Sequence, residues 1–164
     1  MVEAAQAKQL IEAFNARMQL QCNAHRGLQR LSYASLTSDV NDEYISDFLK
    51  GVGGAAETVT WFYFAHSQVT DVGIEALAKN CTSMKTITIC FCDKVTDAGV
   101  EALSKCTSLE HIHLEYCGKV TATGIEALVK NCTSLTKLTC ASLFVSQAMR
   151  QTLDSKSIKV CHAF

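Results

Sequence analysis

The chain has 164 residues, carries 15 Lys and Arg against 16 Asp and Glu, and is 48% hydrophobic. A non-specific nucleic-acid binder normally has a basic excess, so the balanced charge argues against that class, while the hydrophobic content supports a packed core. The apolar runs are too short to span a membrane, and the length fits one domain or a short repeat array.

The first segment is predicted to form a helix over residues 1–27. Large apolar side chains recur every four positions at Leu10, Phe14, Met18 and Cys22. Gly27 is a helix stop, and a repeat array needs a cover over its open end, so we expect a capping helix. A mitochondrial targeting helix is the alternative, but Glu3, Glu12 and the direct run into Leu28 argue against it.

A short motif occurs three times further along the chain, at spacings of 26 and 25 residues. It reads Val-Thr-Asp-x-Gly from Val69 and from Val95, and Val-Thr-Ala-x-Gly from Val120. Each copy opens a segment with helical periodicity. The predicted N-caps of these helices are Thr70, Thr96 and Thr121.

Each motif is preceded by a strand-like pattern. Counted from the first large residue of each repeat as position 0, large residues recur at positions 3 and 5, and a turn residue follows at position 8. The sets are Leu28, Leu31, Tyr33, Leu36; Thr58, Trp61, Tyr63, His66; Met84, Ile87, Ile89, Cys92; Leu109, Ile112, Leu114, Cys117; and Leu135, Leu138, Cys140, Leu143. Ile158 and Cys161 begin a truncated copy, which places His162 in the same column as His113. We therefore predict five repeats and a closing strand over residues 28–164.

This pattern resembles the leucine-rich repeat of the cysteine-containing subtype, as in the repeat domains of F-box proteins. It reads L-x-x-L-x-L-x-x-C, then V-T-D-x-G, then a helix ending in Asn-Cys. The resemblance covers residues 28–164 and implies an α/β solenoid, with a curved parallel sheet on the concave face and helices on the convex face. It implies protein binding without catalysis, and residues 1–27 leave no room for an F-box.

The nine cysteines are an odd number, which excludes a fully disulfide-paired framework. Residues 1–30 contain no apolar stretch of the secretory-signal kind, so we expect free thiols in an intracellular, reducing compartment, the cytoplasm first and the mitochondrion second. Structural roles are assigned to Cys81, Cys92, Cys106, Cys117 and Cys132, which close helices or fill the inward turn position 8. Cys90-Phe91-Cys92 looks like a metal clip, but the turn separates its two thiols.

Positions 2, 4, 6 and 7 of each repeat are predicted to face solvent on the concave face. The expected partner-binding residues are an aromatic group, Phe62, Phe64, Phe91 and Tyr116, with a polar flank of His111, His113 and Glu115. A cluster of exposed aromatic residues indicates an interface. The alternative is that Phe64 and Phe91 pack under a neighbouring loop.

Metal chemistry is a remote alternative. His111 and His113 point to one face of one strand, and Glu115 is the nearest further ligand, but a zinc site needs closer convergence. His66 is expected at turn position 8, bonded to loop carbonyls. We expect no cofactor, no metal and no catalytic residue.

The sequence thus favours a non-catalytic module that binds protein partners through its concave face, without nucleic-acid binding or membrane insertion. A structural accessory subunit of a large assembly is the alternative. Small repeat proteins of this subtype occur in mitochondrial complexes, such as factor B of ATP synthase, and in ciliary assemblies.

Overall fold

The computed structural model describes residues 2–27, 40–140 and 146–162 of the chain. This part of the chain forms six α-helices, one 3-10 helix and five strands. In chain order they are α1 (Val2–Gly27), α2 (Asp42–Val52), the 3-10 helix (Gly53–Thr58), β1 (Trp61–Ala65), α3 (Asp71–Asn80), β2 (Thr86–Cys90), α4 (Asp97–Leu103), β3 (His111–Glu115), α5 (Ala122–Asn131), β4 (Lys137–Cys140), α6 (Gln147–Ser155) and β5 (Lys159–His162).

The five strands form one parallel sheet in the order β1-β2-β3-β4-β5. Every strand pairs with the next strand along the chain, and a helix connects each pair, so the crossovers repeat with one hand. Helices α2 to α6 follow one another on one side of the sheet. This is the predicted α/β solenoid; the sheet surface that faces away from these helices is called the concave face below.

Alternate strand residues fill the space between the sheet and the helices. They include Ile87, Ile89, Ile112, Leu114, Leu138 and Cys140, all buried in one continuous core. The helices contribute Ile74, Leu77, Val100, Leu103, Ile125 and Leu128 to the same core. No described helix is both long enough and apolar enough to cross a membrane.

The Val-Thr-Asp-x-Gly motif performs two tasks at the helix starts. Its Thr caps its own helix, because the Oγ1 atoms of Thr70, Thr96 and Thr121 each accept a hydrogen bond from the backbone N two residues later, at 3.2 Å. The predicted N-caps are therefore confirmed. Its Asp binds the following repeat, and Asp42 does the same for the Thr70 backbone.

The Gly of the motif makes room for this carboxylate. A Cβ placed on Gly99 would lie 2.5 Å from Asp71 Oδ1, and one on Gly124 would lie 2.5 Å from Asp97 Oδ1. The series of carboxylates ends with Asp97, because the corresponding residue of the next helix, Ala122, has no carboxylate. Helix α6 is capped by Ser146, whose Oγ accepts a hydrogen bond from the Met149 backbone N at 3.2 Å.

The register of β1 differs from the expected one by one residue. Phe62 pairs with Ile87 and Phe64 with Ile89, so these two phenylalanines occupy the core positions that were assigned to Trp61 and Tyr63. The reason is a shorter loop. One residue separates Ser67 from Val69, whereas two separate Cys92 from Val95, and counting back from the motif therefore misplaces the strand.

The closing strand is also shifted by one residue. Val160 pairs with Leu138, Cys161 with Thr139 and His162 with Cys140. The expectations that Cys161 takes the core position of Leu138, and that His162 lies in the column of His113, are therefore wrong. A slip of one residue exchanges the two faces of a strand.

Helix α1 packs against the N-terminal end of the solenoid. The Phe14 ring is fully buried, with its centroid 4.1 Å from that of Phe48 and 5.6 Å from that of Phe62. Phe14 thus joins the helix to both α2 and β1. The predicted first repeat, over Leu28, Leu31, Tyr33 and Leu36, lies outside the described residues, as does Leu143.

Candidate functional site

Three aromatic rings stack in a row where β1, β2 and β3 end. The ring centroids of His66 and Phe91 are 4.3 Å apart at 7° between planes, and those of Phe91 and Tyr116 are 4.4 Å apart at 10°. We call His66, Phe91 and Tyr116 the aromatic ladder. His66 and Phe91 are half-buried, whereas Tyr116 is 52% exposed.

The backbone at each ladder residue is left-handed, with φ of 53° at His66, 55° at Phe91 and 53° at Tyr116. This conformation costs a residue with a side chain about 1–2 kcal/mol. It turns the chain out of the strand, so that the ladder residue faces outward and the next residue enters the core. Stacking between aromatic rings, worth about 0.5–1.5 kcal/mol per pair, offsets part of the cost.

The residues after the ladder are Ser67, Cys92 and Cys117, all of which are buried. The Cys92 thiol donates to the Cys90 carbonyl at 3.3 Å, and the Cys117 thiol donates to the Ile89 carbonyl at 3.3 Å. The thiols therefore satisfy backbone carbonyls at the strand ends, as the sequence interpretation expects for position 8. His66 does not occupy that position; Ser67 does, because of the shorter loop.

The cysteines at the helix ends are also buried. Cys106 Sγ donates to the Ala78 carbonyl and Cys132 Sγ to the Leu103 carbonyl, both at 3.7 Å, which joins each repeat to the one before. Burial raises the pKa of Cys81 to about 12 and that of Cys132 to about 11. These thiols stay protonated near neutral pH and are poor nucleophiles.

Phe62 and Phe64 do not belong to the exposed surface. Both side chains are 0% exposed, and their rings pack against each other at 6.1 Å within the core. The expectation that they contact a partner on the concave face is wrong, because the shifted register turns them toward the helices. Trp61 and Tyr63 occupy the concave positions of β1 instead.

The polar flank of His111, His113 and Glu115 lies on β3, beside the ladder. His111 and Lys137 are register partners, and Lys137 pairs in turn with Lys159. All three are exposed and form a basic row across the concave face. His113 and Glu115 lie further along β3, with His113 Nε2 2.7 Å from Glu115 Oε1.

Cys90 lies next to this pair, at the last position of β2. One ligand atom each from Cys90, His113 and Glu115 falls within 4.8 Å of the other two. The remote metal alternative in the sequence analysis involves His111, His113 and Glu115, but His111 is not a member of this group. The concave face therefore combines aromatic, basic and potential metal-binding features.

Comparison with known proteins agrees with the repeat geometry. The Leucine Rich repeat family model matches residues 105–129, which run from the turn after α4 through β3 and into α5. A search of curated proteins finds no match to the chain. The chain is thus similar to leucine-rich-repeat proteins over one full repeat, and its fold is of the leucine-rich-repeat type.

Proposed function

We propose that the chain is a non-catalytic protein-binding module whose concave face receives the partner. Leucine-rich-repeat domains generally mediate protein–protein interaction, which supports this class of function. The observation that carries the proposal is the exposed Tyr116 at one side of the aromatic ladder, 52% accessible on a turn held by stacking.

The ladder is suited to binding for an energetic reason. Truncating a well-packed aromatic residue at the centre of an interface commonly costs about 2 kcal/mol or more. Ring stacking already holds Tyr116 in place, so little conformational entropy opposes binding. We therefore propose Phe91 and Tyr116 as contact residues, with the His66 ring stacked on the other face of Phe91.

The basic row defines the chemistry of the partner. His111, Lys137 and Lys159 are exposed and adjacent across three strands. An acidic side chain on the partner would be attracted to this row, which would speed association and orient the complex. The proposed partner is a protein surface with an apolar or aromatic residue for Tyr116 and a carboxylate within reach of Lys137.

A structural accessory subunit of a large assembly is the second candidate. The groove between α5 and α6, lined by Val129, Ala148 and Met149 among others, favours it, because it offers an apolar surface on the helix side. Val72 on α3 is 67% exposed on the same side. A fixed subunit would use this helix side against its neighbours.

The test starts with affinity purification of the partner from the native source, with the intact chain as bait. Tyr116→Ser should weaken binding to that partner by about 30-fold, the equivalent of about 2 kcal/mol, while the fold persists because Tyr116 is exposed. The control is the helix-side pair Glu75→Ala and Glu101→Ala, which should leave binding unchanged. Weaker binding from the helix-side pair alone would contradict the concave-face proposal and favour the accessory subunit.

A further inference from the structure

Three donor atoms of different chemistry converge on the concave face where β2 and β3 end. Cys90 pairs with Glu115 across the two strands, and His113 pairs with Thr88 one step earlier on the same face. The sulfur of Cys90, a ring nitrogen of His113 and a carboxylate oxygen of Glu115 all lie within 4.8 Å of one another.

The hydrogen bonding of this group is incomplete. His113 Nε2 is buried and makes no hydrogen bond, although Glu115 Oε1 is only 2.7 Å away. A buried polar atom without a partner costs free energy, and a cation between the nitrogen and the oxygen would remove that cost.

We propose that Cys90, His113 and Glu115 bind one Zn²⁺ ion through Sγ, Nε2 and a carboxylate oxygen. Thiolate, imidazole and carboxylate together form a zinc ligand set, whereas Mg²⁺ and Ca²⁺ prefer oxygen alone. Binding needs the thiolate of Cys90 and the lone pair of His113 Nε2: the S–H bond breaks and releases its proton to water, the neutral imidazole holds its proton on Nδ1, and Sγ and Nε2 form bonds to zinc.

The spacing of the three atoms fits this ion. Zinc–ligand bonds of about 2.0–2.3 Å in a tetrahedron place neighbouring ligand atoms roughly 3.2–3.8 Å apart, which small side-chain rotations within the observed spacing can reach. The side chains of His113 and Glu115 are 37% and 17% exposed, so an ion can enter from the concave face. Three protein ligands leave a fourth position for water.

The zinc site shares the concave face with the proposed partner-binding residues, but its three ligands are different residues from Phe91, Tyr116 and the basic row. Tyr116 and the basic row contribute no ligand. Failure of the partner-binding test would leave the zinc proposal standing, and failure of zinc binding would leave the partner proposal standing.

The experiment uses the full chain, reduced, treated with chelator and dialysed, and then titrated with Co²⁺. We expect one ion per chain and a thiolate-to-Co²⁺ charge-transfer band that Zn²⁺ displaces. Cys90→Ala should abolish the band, and His113→Gln or Glu115→Gln should weaken Zn²⁺ binding roughly tenfold or more.

Two matched controls test the specificity of this effect. His111→Gln removes the neighbouring exposed histidine, and Cys140→Ala removes a buried thiol from the core side of the sheet. Both variants should keep the band and the affinity. If Cys90→Ala fails to fold, as judged by circular dichroism, the partly exposed His113→Gln decides the outcome.

The proposal is overturned if the chain binds no Co²⁺ or Zn²⁺, or if it binds Co²⁺ without the charge-transfer band. It is also overturned if folded Cys90→Ala keeps the band, if His113→Gln binds Zn²⁺ as well as the wild-type chain does, or if His111→Gln weakens binding as much as His113→Gln.

Discussion

Asp71 and Thr96 are joined by two hydrogen bonds across a repeat boundary. Asp71 Oδ1 accepts from the Thr96 backbone N at 2.8 Å, and Oδ2 accepts from Thr96 Oγ1 at 2.7 Å. Oδ1 also accepts from the Gly99 backbone N at 3.1 Å. A single carboxylate thus satisfies the start of the next helix, where backbone N–H groups lack partners within the helix.

Replacing this carboxylate should destabilise the fold. Asp71→Ala leaves the Thr96 and Gly99 backbone donors without their acceptor, and we expect a loss of about 2 kcal/mol in the free energy of unfolding, measured in urea. Asp93→Ala, at an exposed position, is the control and should change the free energy by less than about 0.5 kcal/mol. Equal losses in the two variants would contradict the role of the bridge.

Gly99→Ala should be destabilising for a steric reason. The added Cβ would lie 2.5 Å from Asp71 Oδ1 and 3.3 Å from Asp71 Cα, so the carboxylate must move away from the helix start. We expect a loss of about 1–3 kcal/mol in urea unfolding. Gly54→Ala adds the same methyl group where no atom lies within 4 Å, and should leave stability unchanged or slightly higher.

All nine cysteines should be free thiols, and the seven whose side chains the structure describes should be protected in the folded chain. The seven that the structure describes are buried and unpaired with one another as disulfides. A thiol reagent applied to the native protein near pH 8 should modify none of these seven, while alkylation after denaturation without reductant should modify nine thiols in all, as counted by mass. Reproducible protection of a pair after denaturation would contradict this prediction.

The buried thiols should also make stability fall at alkaline pH. Burial raises the pKa of Cys81 and of Cys117 from 9.0 to about 12. Above pH 9 the unfolded chain therefore loses thiol protons that the folded chain still holds, and the free energy of unfolding decreases as pH rises toward 12. Each thiol contributes at most about 1.4 kcal/mol per pH unit in this window.

Urea unfolding at pH 8 and pH 10 measures this effect. Cys81→Ala should lose less stability between the two pH values than the wild-type chain does, because one titrating thiol is gone. An unchanged pH dependence in Cys81→Ala would show that Cys81 does not contribute.

The N-terminal helix should be required for a stable solenoid end. Phe14→Ala removes a ring that contacts both Phe48 and Phe62, and we expect a loss of about 3–5 kcal/mol in the free energy of unfolding. Gln9→Ala, exposed on the same helix, should have little effect. Deleting residues 1–26 should cause aggregation; a monomer with unchanged melting would instead favour a detachable leader.

The middle repeats could be predicted from sequence because their motif is regular. Cys92 and Cys117 each precede the motif by the same short interval, so strands, caps and core positions follow correctly. The second predicted repeat, around β1, is misplaced because Trp61, Phe62, Tyr63 and Phe64 are all large, which removes the alternation that fixes register. The loop between Ser67 and Val69 is one residue shorter than the matching loop after Cys92, and this difference shifts the register of β1 by one residue.

The aromatic ladder could have been found from the strands. His66, Phe91 and Tyr116 recur at a constant spacing of 25 residues, which counting from the helix motif obscures. The group around Cys90 is harder to predict. Aligning the repeats of the chain with one another places Cys90 and Glu115 at the same repeat position. His113 lies two residues before Glu115 on β3, and its contact with Cys90 is diagonal and depends on side-chain rotation.

Ala122 stands where the earlier motifs have an Asp, and the missing carboxylate affects where local unfolding of the solenoid begins. The starts of α3, α4 and α5 are each tied to the repeat before by a carboxylate, whereas α6 is connected to α5 by the Lys156 ammonium, which donates to the Val129 carbonyl at 2.6 Å. A solenoid opens from its least coupled end, and backbone amides there exchange with solvent first. We therefore expect the segment of α6 and β5 to unfold locally before the three bridged helix starts do, and to lose amide protection first in hydrogen exchange.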